Sequence, residues 1–281
     1  MKKSRYLVLT LIGKDRSGVV AAFTQTLFQH GANIESLEEQ VVGGRFSMNL
    51  LAFWPETKSP KEELRTELKR LAHQFQMDLT LRDMKPRGEK RAAVLVTKET
   101  HCAERLLQEA KAGKMEIGVM IGNHPDLEPL ARKFKIPFIH LPFQARVQAE
   151  HKLLEYLEEH QIDYIVLARF MKILSPNFVW RWKNKIINIH PSLLPSFPGA
   201  SPYRQAFEKG VRVVGVTAHF VTPDLDNGPI MEQLSFSVKP GESLESIIQR
   251  GQAIESECLW KAVQLFLKRD LDVHWGKVHL V

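Results

Sequence analysis

The sequence predicts two domains: an α+β unit of antiparallel strands, then an α/β unit whose sheet is mostly parallel. Three observations carry this. The 281 residues are 44% hydrophobic and 25% charged, which supplies a large core and, at roughly 150 residues per domain, length for about two domains. Up to Arg82 the signals run strand, helix, strand, strand, helix, strand. Beyond a polar, basic stretch, continuous apolar runs alternate with helical patterns, as expected for a parallel sheet buried on both faces.

The first segment alternates at Tyr6, Val8, Thr10 and Ile12 and breaks at Gly13-Lys-Asp15-Arg-Ser-Gly18, a strand and then a loop. Val19, Val20, Phe23 and Leu27 recur at helical spacing up to His30, and Gly31 stands where a left-handed residue ends a helix. Asn33-Ile34 opens an extended stretch to Val42, Gly43-Gly44 is a hairpin pair, and Arg45 to Phe53 returns. Pro60-Lys-Glu-Glu63 starts a helix with Leu64, Leu68, Leu71 and Phe75 on one stripe, and Met77 to Arg82 supplies the last strand. This βαββαβ order is ferredoxin-like, with two helices on one face of the sheet, and defines a first domain over 1–84.

The stretch from Met84 to Arg91 carries Pro, Gly and basic residues and reads as a linker over 85–91. In the second domain, 92–281, buried strands are expected at Ala92–Val96, Glu116–Ile121, Phe138–Leu141, Tyr164–Ala168 and Ile186–Ile189. Val213–Val221 and Glu232–Val238 read as antiparallel edge strands. A closing helix capped by Ser243 carries Leu244, Ile247, Ile248, Gly251, Ile254, Cys258, Ala262 and Leu265 on one stripe.

Composition narrows the function classes. With 39 basic and 32 acidic residues the net charge is +7, which suits anionic small molecules at least as well as nucleic acid. No run of roughly 18 apolar residues is present to span a bilayer, and no small-residue cleavage site follows the first apolar segment. Cys102 and Cys258 are far apart and not metal-spaced, so a cytoplasmic, reducing setting with free thiols is expected.

The stretch richest in chemistry is Lys185-Ile-Ile-Asn188-Ile189-His190-Pro191. Residues two apart on a strand share a face, so Asn188 and His190 project together, and Pro191 ends the ladder at the strand's carboxyl end, where α/β sheets place ligands. An amide donates to a developing oxyanion and an imidazole moves protons near neutral pH, a pairing suited to acyl transfer. Read by themselves, the two residues also fit a loop cap and a histidine satisfied by backbone. Asp226, in Asp224-Leu225-Asp226-Asn-Gly228-Pro, is equally compatible with simple turn nucleation.

Taken together, Asn188-Ile-His190-Pro-Ser-Leu-Leu-Pro195, His219-Phe-Val and Leu225-Asp226-x-Gly228-Pro229 resemble the 10-formyltetrahydrofolate-using formyltransferases, over residues 91 to 281. The resemblance implies a Rossmann-like domain. It also implies a catalytic trio: Asn188 on the formyl oxygen, His190 in proton transfer and carbonyl polarisation, and Asp226 orienting the attacking group, with a raised pKa expected for its carboxyl. His219 would support the trio. Met171, Lys172, Ile173, Leu174, Asp224 and Leu225 would line the folate pocket, Lys172 standing where many of the family carry Arg. Asp15-Arg-Ser-Gly18 and Gly31-Ala-Asn33-Ile34 resemble ACT domains, which implies an amino-acid effector, methionine or glycine, held by Asp15, Gly18, Asn33 and Ile34. An assembly role as a homo-oligomer is the alternative for that domain.

The acceptor follows from the loop after the first strand of the second domain. It reads Val96-Thr-Lys98-Glu99-Thr100-His101-Cys102, without the glycines that let backbone amides cradle a phosphate, and Glu99 opposes one by charge. This segment and Ile121-Gly-Asn-His124 are similar to the formyltetrahydrofolate deformylase family, in which water is the acceptor. The expectation is hydrolysis of 10-formyltetrahydrofolate to formate and tetrahydrofolate, without cofactor or metal, and with no nucleic-acid or membrane partner. Three alternatives stay open: formyl transfer to an amine, a metal held by His190, His219 and Asp226, and a non-catalytic amino-acid or folate sensor.

Overall fold

The computed structural model describes residues 6–54, 62–83, 90–268, 271–274 and 276–280, and packing divides the chain into Met1–Pro86 and Arg87–Val281. The first unit contains β1 (Tyr6–Lys14), α1 (Val19–Gln29), β2 (Asn33–Val42), β3 (Arg45–Phe53), α2 (Glu62–Phe75) and β4 (Met77–Asp83). Its strands lie in the order β2-β3-β1-β4, all neighbours antiparallel. Gly43 and Gly44 both have positive φ, 56° and 75°, as a two-residue hairpin turn requires. Leu7, Leu9 and Leu11 of β1 form the core with Met48 and Leu50 of β3, Phe23 and Leu27 of α1, and Leu64 and Leu68 of α2. The helix-covered face of β1 is therefore the leucine face and not Tyr6, Val8, Thr10 and Ile12. Both parities of this strand are apolar, so alternation alone does not choose between them. The predicted helix start at Pro60 lies outside the described residues.

The second unit runs β5 (Arg91–Val96), α3 (His101–Lys111), β6 (Glu116–Gly122), α4 (Glu128–Lys133), β7 (Phe138–His140), α5 (Arg146–Glu159), β8 (Tyr164–Ala168) and α6 (Pro176–Arg181). It continues with β9 (Ile186–His190), α7 (Pro202–Glu208), β10 (Val213–Phe220), β11 (Ile230–Ser237), α8 (Leu244–Lys268), β12 (Leu271–His274) and β13 (Lys277–Leu280). Seven strands form one sheet, β11-β10-β9-β8-β5-β6-β7. The five from β7 to β9 are parallel, and β10 and β11 add antiparallel at the edge. Val94, Val96 and Val216 pack with Leu259 and Val263 of α8 on one face, and Leu95 and Ile165 with Leu153 of α5 and Phe178 of α6 on the other. Burial on both faces is why these strands read as unbroken apolar runs.

Predicted and observed strands differ by a residue or two at their ends, and β5 opens at Arg91, inside the predicted linker; residues 84–89 lie outside the described set. The β12–β13 hairpin is not predicted, because four-residue strands carry too little periodicity. On α8 the buried face is Ile247, Gly251, Glu255, Cys258, Leu259, Ala262, Val263 and Phe266, so the predicted stripe missed a carboxylate and was rotated at its far end. Among the described residues no helix is long and apolar enough to cross a membrane.

Strand order sets the place for a ligand. From β5 the chain proceeds to β6 and β7 on one side and then to β8 and β9 on the other. The carboxyl ends of β5 and β8 therefore flank a topological switch point, where open α/β sheets bind ligands.

Candidate active site

A cavity of about 630 Å³ opens at these strand ends, within the usual size range of small-molecule sites. Asn188, His190, His219 and Asp226 all line it. Antiparallel register sets His219 directly opposite Asn188 and Thr217 opposite His190. The same register carries the end of β10 back beside Ile187, and Val221 N donates to Ile186 O. The following loop must therefore fold back over the sheet to bring Asp226 to the two histidines. Gly228 permits it: a Cβ there would lie 1.7 Å from Phe220 O and 3.3 Å from His219 Nδ1. Asp226 itself takes a left-handed φ of 52°, a backbone state for which Asp is among the tolerated residues.

Hydrogen-bond partners assign protons here. His219 Nδ1 lies 2.9 Å from Phe220 O, which only accepts, so Nδ1 carries the hydrogen. Nε2 is then the acceptor for the Asn188 amide nitrogen at 3.3 Å. Burial pushes the His219 pKa down, outweighing the Phe220 carbonyl and the Asp226 charge that raise it, and the neutral tautomer follows. His190 Nε2 lies 3.0 Å from Phe197 O and therefore donates. Its Nδ1 faces Asp226 Oδ2 at 3.3 Å. A carboxylate only accepts, so Nδ1 faces Asp226 as the donor side of this contact.

Asp226 also accepts from Gly199 N at 3.0 Å, and its Oδ1 lies 4.0 Å from His219 Nε2. Burial raises its pKa, but the His190 hydrogen bond, the Gly199 amide and the charges of His190 and His219 outweigh burial and hold it below the ordinary carboxylate value. The raised pKa expected for Asp226 is thus corrected: this carboxyl is well supplied with donors.

The predicted folate wall begins just past β8. Met171 N donates to Thr97 Oγ1 at 2.9 Å, and Ser175 N donates to Glu150 of α5 at 2.6 Å, so the segment is fastened at both ends. Met171, Ile173 and Leu225 are large exposed apolar residues at the cavity, with exposures of 60%, 61% and 57%. Lys172 and Asp224 are exposed lining residues, whereas Leu174 is buried in the core beside them.

Sequence reasoning missed a second polar group in the same cavity. Glu255 of α8, with no exposed surface, takes the His101 Nε2 hydrogen at 3.0 Å and the Tyr203 hydroxyl at 2.7 Å, with Arg169 Nε at 3.4 Å. Burial opposes its charge, yet the His101 hydrogen bond, the Arg169 and His101 charges and the Tyr203 hydroxyl hold its pKa below the usual value. Also missed were the backbone groups of Phe197 and Gly199. The one available signal for the latter was the Pro198-Gly199 turn, where Gly199 has φ 82°.

For a metal, the geometry disfavours the set expected as an alternative. Among the described residues, the one group offering three ligand atoms within 4.8 Å of one another is His101, Cys102 and Glu255, not His190, His219 and Asp226. Burial and the Glu255 charge push the Cys102 thiol well up, and Glu255 already accepts from His101 and Tyr203 beside Arg169. This donor set is spoken for.

In the first unit, Gly18 is left-handed at the start of α1, and Asp15 N donates to Gly44 O. Both lie at the hairpin end of the sheet. Asn33 and Ile34 open β2 opposite Phe53 and Ala52, at the other end of strands that rise about 3.3 Å per residue. One chain does not bring these four residues together.

Comparison with known proteins agrees with both units. Residues 90–263 match the formyl transferase family and residues 5–82 the ACT domain. The chain is 39% identical over 272 residues to a formyltetrahydrofolate deformylase from Bacillus subtilis (strain 168), covering 94% of this chain and 89% of that one. It superposes on the crystal structure of the Burkholderia mallei formyltetrahydrofolate deformylase with a TM-score of 0.65 and 34% identity, across 99% of each chain. The second unit also resembles a phosphoribosylglycinamide formyltransferase from Anaplasma phagocytophilum, with a TM-score of 0.65 and 34% identity over 69% of this chain and 95% of that one. Matched through both units and nearly end to end, the chain belongs to the formyltetrahydrofolate deformylase family.

Proposed function

We propose that this chain hydrolyses 10-formyltetrahydrofolate to formate and tetrahydrofolate, with Asn188, His190 and Asp226 acting on the formyl group and His219 positioning Asn188. The observation that carries the reading is the pairing of His190 Nδ1 with Asp226 Oδ2 at 3.3 Å, beside an amide whose orientation is fixed by neutral His219 at 3.3 Å. One amide hydrogen of Asn188 goes to His219 and the other is left for the formyl oxygen. Water attacks the formyl carbon and gives a proton to the Asp226–His190 pair. Asn188 donates to the oxyanion and the charge of protonated His190 stabilises it through space, and the pair returns the proton to N10 as the C–N bond breaks. The exposed faces of Met171, Ile173 and Leu225 suit the flat pterin ring, and Lys172 the acidic tail of the folate. No metal takes part in this reading, so exhaustive chelation is expected to leave turnover intact.

The first unit is read as an effector site for a small amino acid, methionine or glycine, and as the contact for a homo-oligomer. The separation of Asp15 and Gly18 from Asn33 and Ile34 supports coupling the two roles, since only a second copy would bring both ends to one ligand. Nucleic acid has no place in the reading. Of the basic residues near the linker, Lys90 lies over the Phe266 ring at 4.2 Å and Arg91 is paired with Glu116 at 2.8 Å. A cytoplasmic location is supported by two buried, unpaired cysteines.

The test is formate release from 10-formyltetrahydrofolate with no amine present. Wild-type protein is expected to release formate, and Asn188→Ala to lose about 10²–10³-fold in kcat with an unchanged thermal melt. Folate binding without formate release would overturn the hydrolase reading.

A further inference from the structure

The cavity wall past β8 runs against the usual tendency of apolar side chains. Met171 and Ile173 stand exposed on either side of Lys172, whereas apolar groups beside a core ordinarily fold down onto it. The residues flanking them do so: Phe170 is buried and meets the Phe143 ring edge-on at 5.2 Å, and Leu174 is buried in the same core layer. What keeps the middle of the segment out is the fixing of its two ends. Near β8, Arg169 takes a left-handed φ of 61° and Met171 N donates to Thr97 Oγ1 at 2.9 Å. At the far end the anchor is Glu150, a buried carboxylate whose Oε1 accepts from Ser175 N at 2.6 Å and whose Oε2 accepts from the Ser175 hydroxyl. With its hydrogen committed to Glu150, that hydroxyl oxygen in turn accepts from Phe178 N at 3.2 Å and begins α6 behind Pro176. Ser175 is thus held by backbone and side chain at once. Its holder is rigid, since Glu150 sits on α5 between Ala149 and Leu153, both packed in the core. None of Thr97, Glu150 and Ser175 lines the cavity itself.

We infer that Glu150 is a positioning residue for the folate: acting through Ser175, it keeps Met171 and Ile173 turned out toward the pterin ring. This rests on the folate reading above and assigns part of the substrate's binding to a group that never touches it. The signature follows from preorganisation. If loss of the anchor leaves the segment in its binding form in about a tenth of the molecules, apparent affinity falls by that fraction, while the complex that does form has its wall in place and reacts at the ordinary rate. A carboxylate that served only to start α6 would give the other pattern, fewer folded molecules with an unchanged KM.

The test compares wild type with Glu150→Gln, Glu150→Asp and Ser175→Ala in two measurements: formate release from 10-formyltetrahydrofolate, and calorimetric binding of tetrahydrofolate. Glu150→Gln offers one acceptor oxygen where two are needed, so KM and the tetrahydrofolate Kd are expected to rise together by about ten-fold, with kcat within about two-fold of wild type. Glu150→Asp keeps both acceptors and the charge on a shorter stem and should recover most of the loss. Ser175→Ala keeps the backbone bond to Glu150 and loses the hydroxyl bond, so KM is expected to rise by about three-fold; at a half-buried position, this variant decides the matter if Glu150→Gln fails to fold. Unchanged KM and Kd in Glu150→Gln or, where that protein does not fold, in Ser175→Ala would overturn the inference, as would a loss confined to kcat. A wild type that binds tetrahydrofolate without releasing formate would fail the hydrolytic reading alone, because Kd still reads the wall. A wild type that binds no tetrahydrofolate would overturn both.

Discussion

One cavity holds two buried polar clusters, and they differ in how their protons are assigned. Around Glu255 both carboxylate oxygens have a donor: the His101 and Tyr203 hydrogens point to them, and Arg169 Nε stands at 3.4 Å without a hydrogen bond of its own. Around Asp226 the assignment is incomplete. His190 already donates Nε2–H to Phe197, and its Nδ1 stands 3.3 Å from an Asp226 carboxylate that also lies 4.0 Å from His219 Nε2. A saturated network rigidifies a site, whereas an unsettled proton is what acid–base chemistry uses. Under the proposed function the same residue types, a carboxylate and histidine in each case, serve structure in one cluster and reaction in the other.

The largest effect expected from breaking this contrast is on the Asp226 side. Asp226→Asn keeps the shape and removes the base, and kcat should fall by about 10²–10⁴-fold while the melting temperature hardly moves; a stopped assay for formate with a parallel thermal melt reads both. Glu255→Leu should do the reverse. Leaving half-buried Arg169 and the Tyr203 hydroxyl without their partner costs up to about 3–5 kcal/mol, seen as a fall in Tm of roughly 10 °C for a unit of this size. A Glu255→Leu protein as stable as wild type would show that the settled cluster is not structural.

The pH profile sharpens the same comparison. His219 and Asp226 both have folded pKa values below their ordinary ones, so each favours the native state above its unfolded pKa and loses that contribution as pH falls through the folded one. Protonating His219 also turns Nε2 into a donor facing the Asn188 amide. The kcat/KM profile should therefore have an acid limb, set at a pH below the usual histidine value, and His219→Gln should move that limb while Asn188 retains a neutral partner. The smallest effect is expected at the cavity mouth. Met171→Ser or Ile173→Ser should raise KM several-fold with kcat nearly unchanged, as each removes about 1–3 kcal/mol of apolar contact at most.

What the sequence makes legible follows from how each cluster is strung along the chain. Asn188 and His190 are two apart on one strand and end at Pro191, so alternation and a ladder break reveal them. His219 is their cross-strand neighbour, and Asp226 sits in a turn motif shared with the formyltransferases. The Glu255 cluster comes from α3, the end of β8, α7 and α8, with His101 and Glu255 154 positions apart. No local pattern joins them. Its one trace was a carboxylate on the buried stripe of α8, between Gly251 and Cys258, which a search for apolar positions passes over. The face of β1 was unreadable for the opposite reason, since both of its faces are apolar. The ends of the β strands and the separation of Asp15 from Asn33 depend on register, which the sequence does not print.

Gly228 adds a last consequence. Its missing Cβ lets the loop after β10 lie flat against the Phe220 carbonyl, the group that also takes the His219 proton. One backbone oxygen thus serves as the seat of the Asp226 loop and the key to a histidine tautomer. Any side chain at this position would lift Asp226 from His190 and loosen His219 from Phe220 in a single movement, so loop geometry and proton inventory are inherited together and cannot drift apart one substitution at a time.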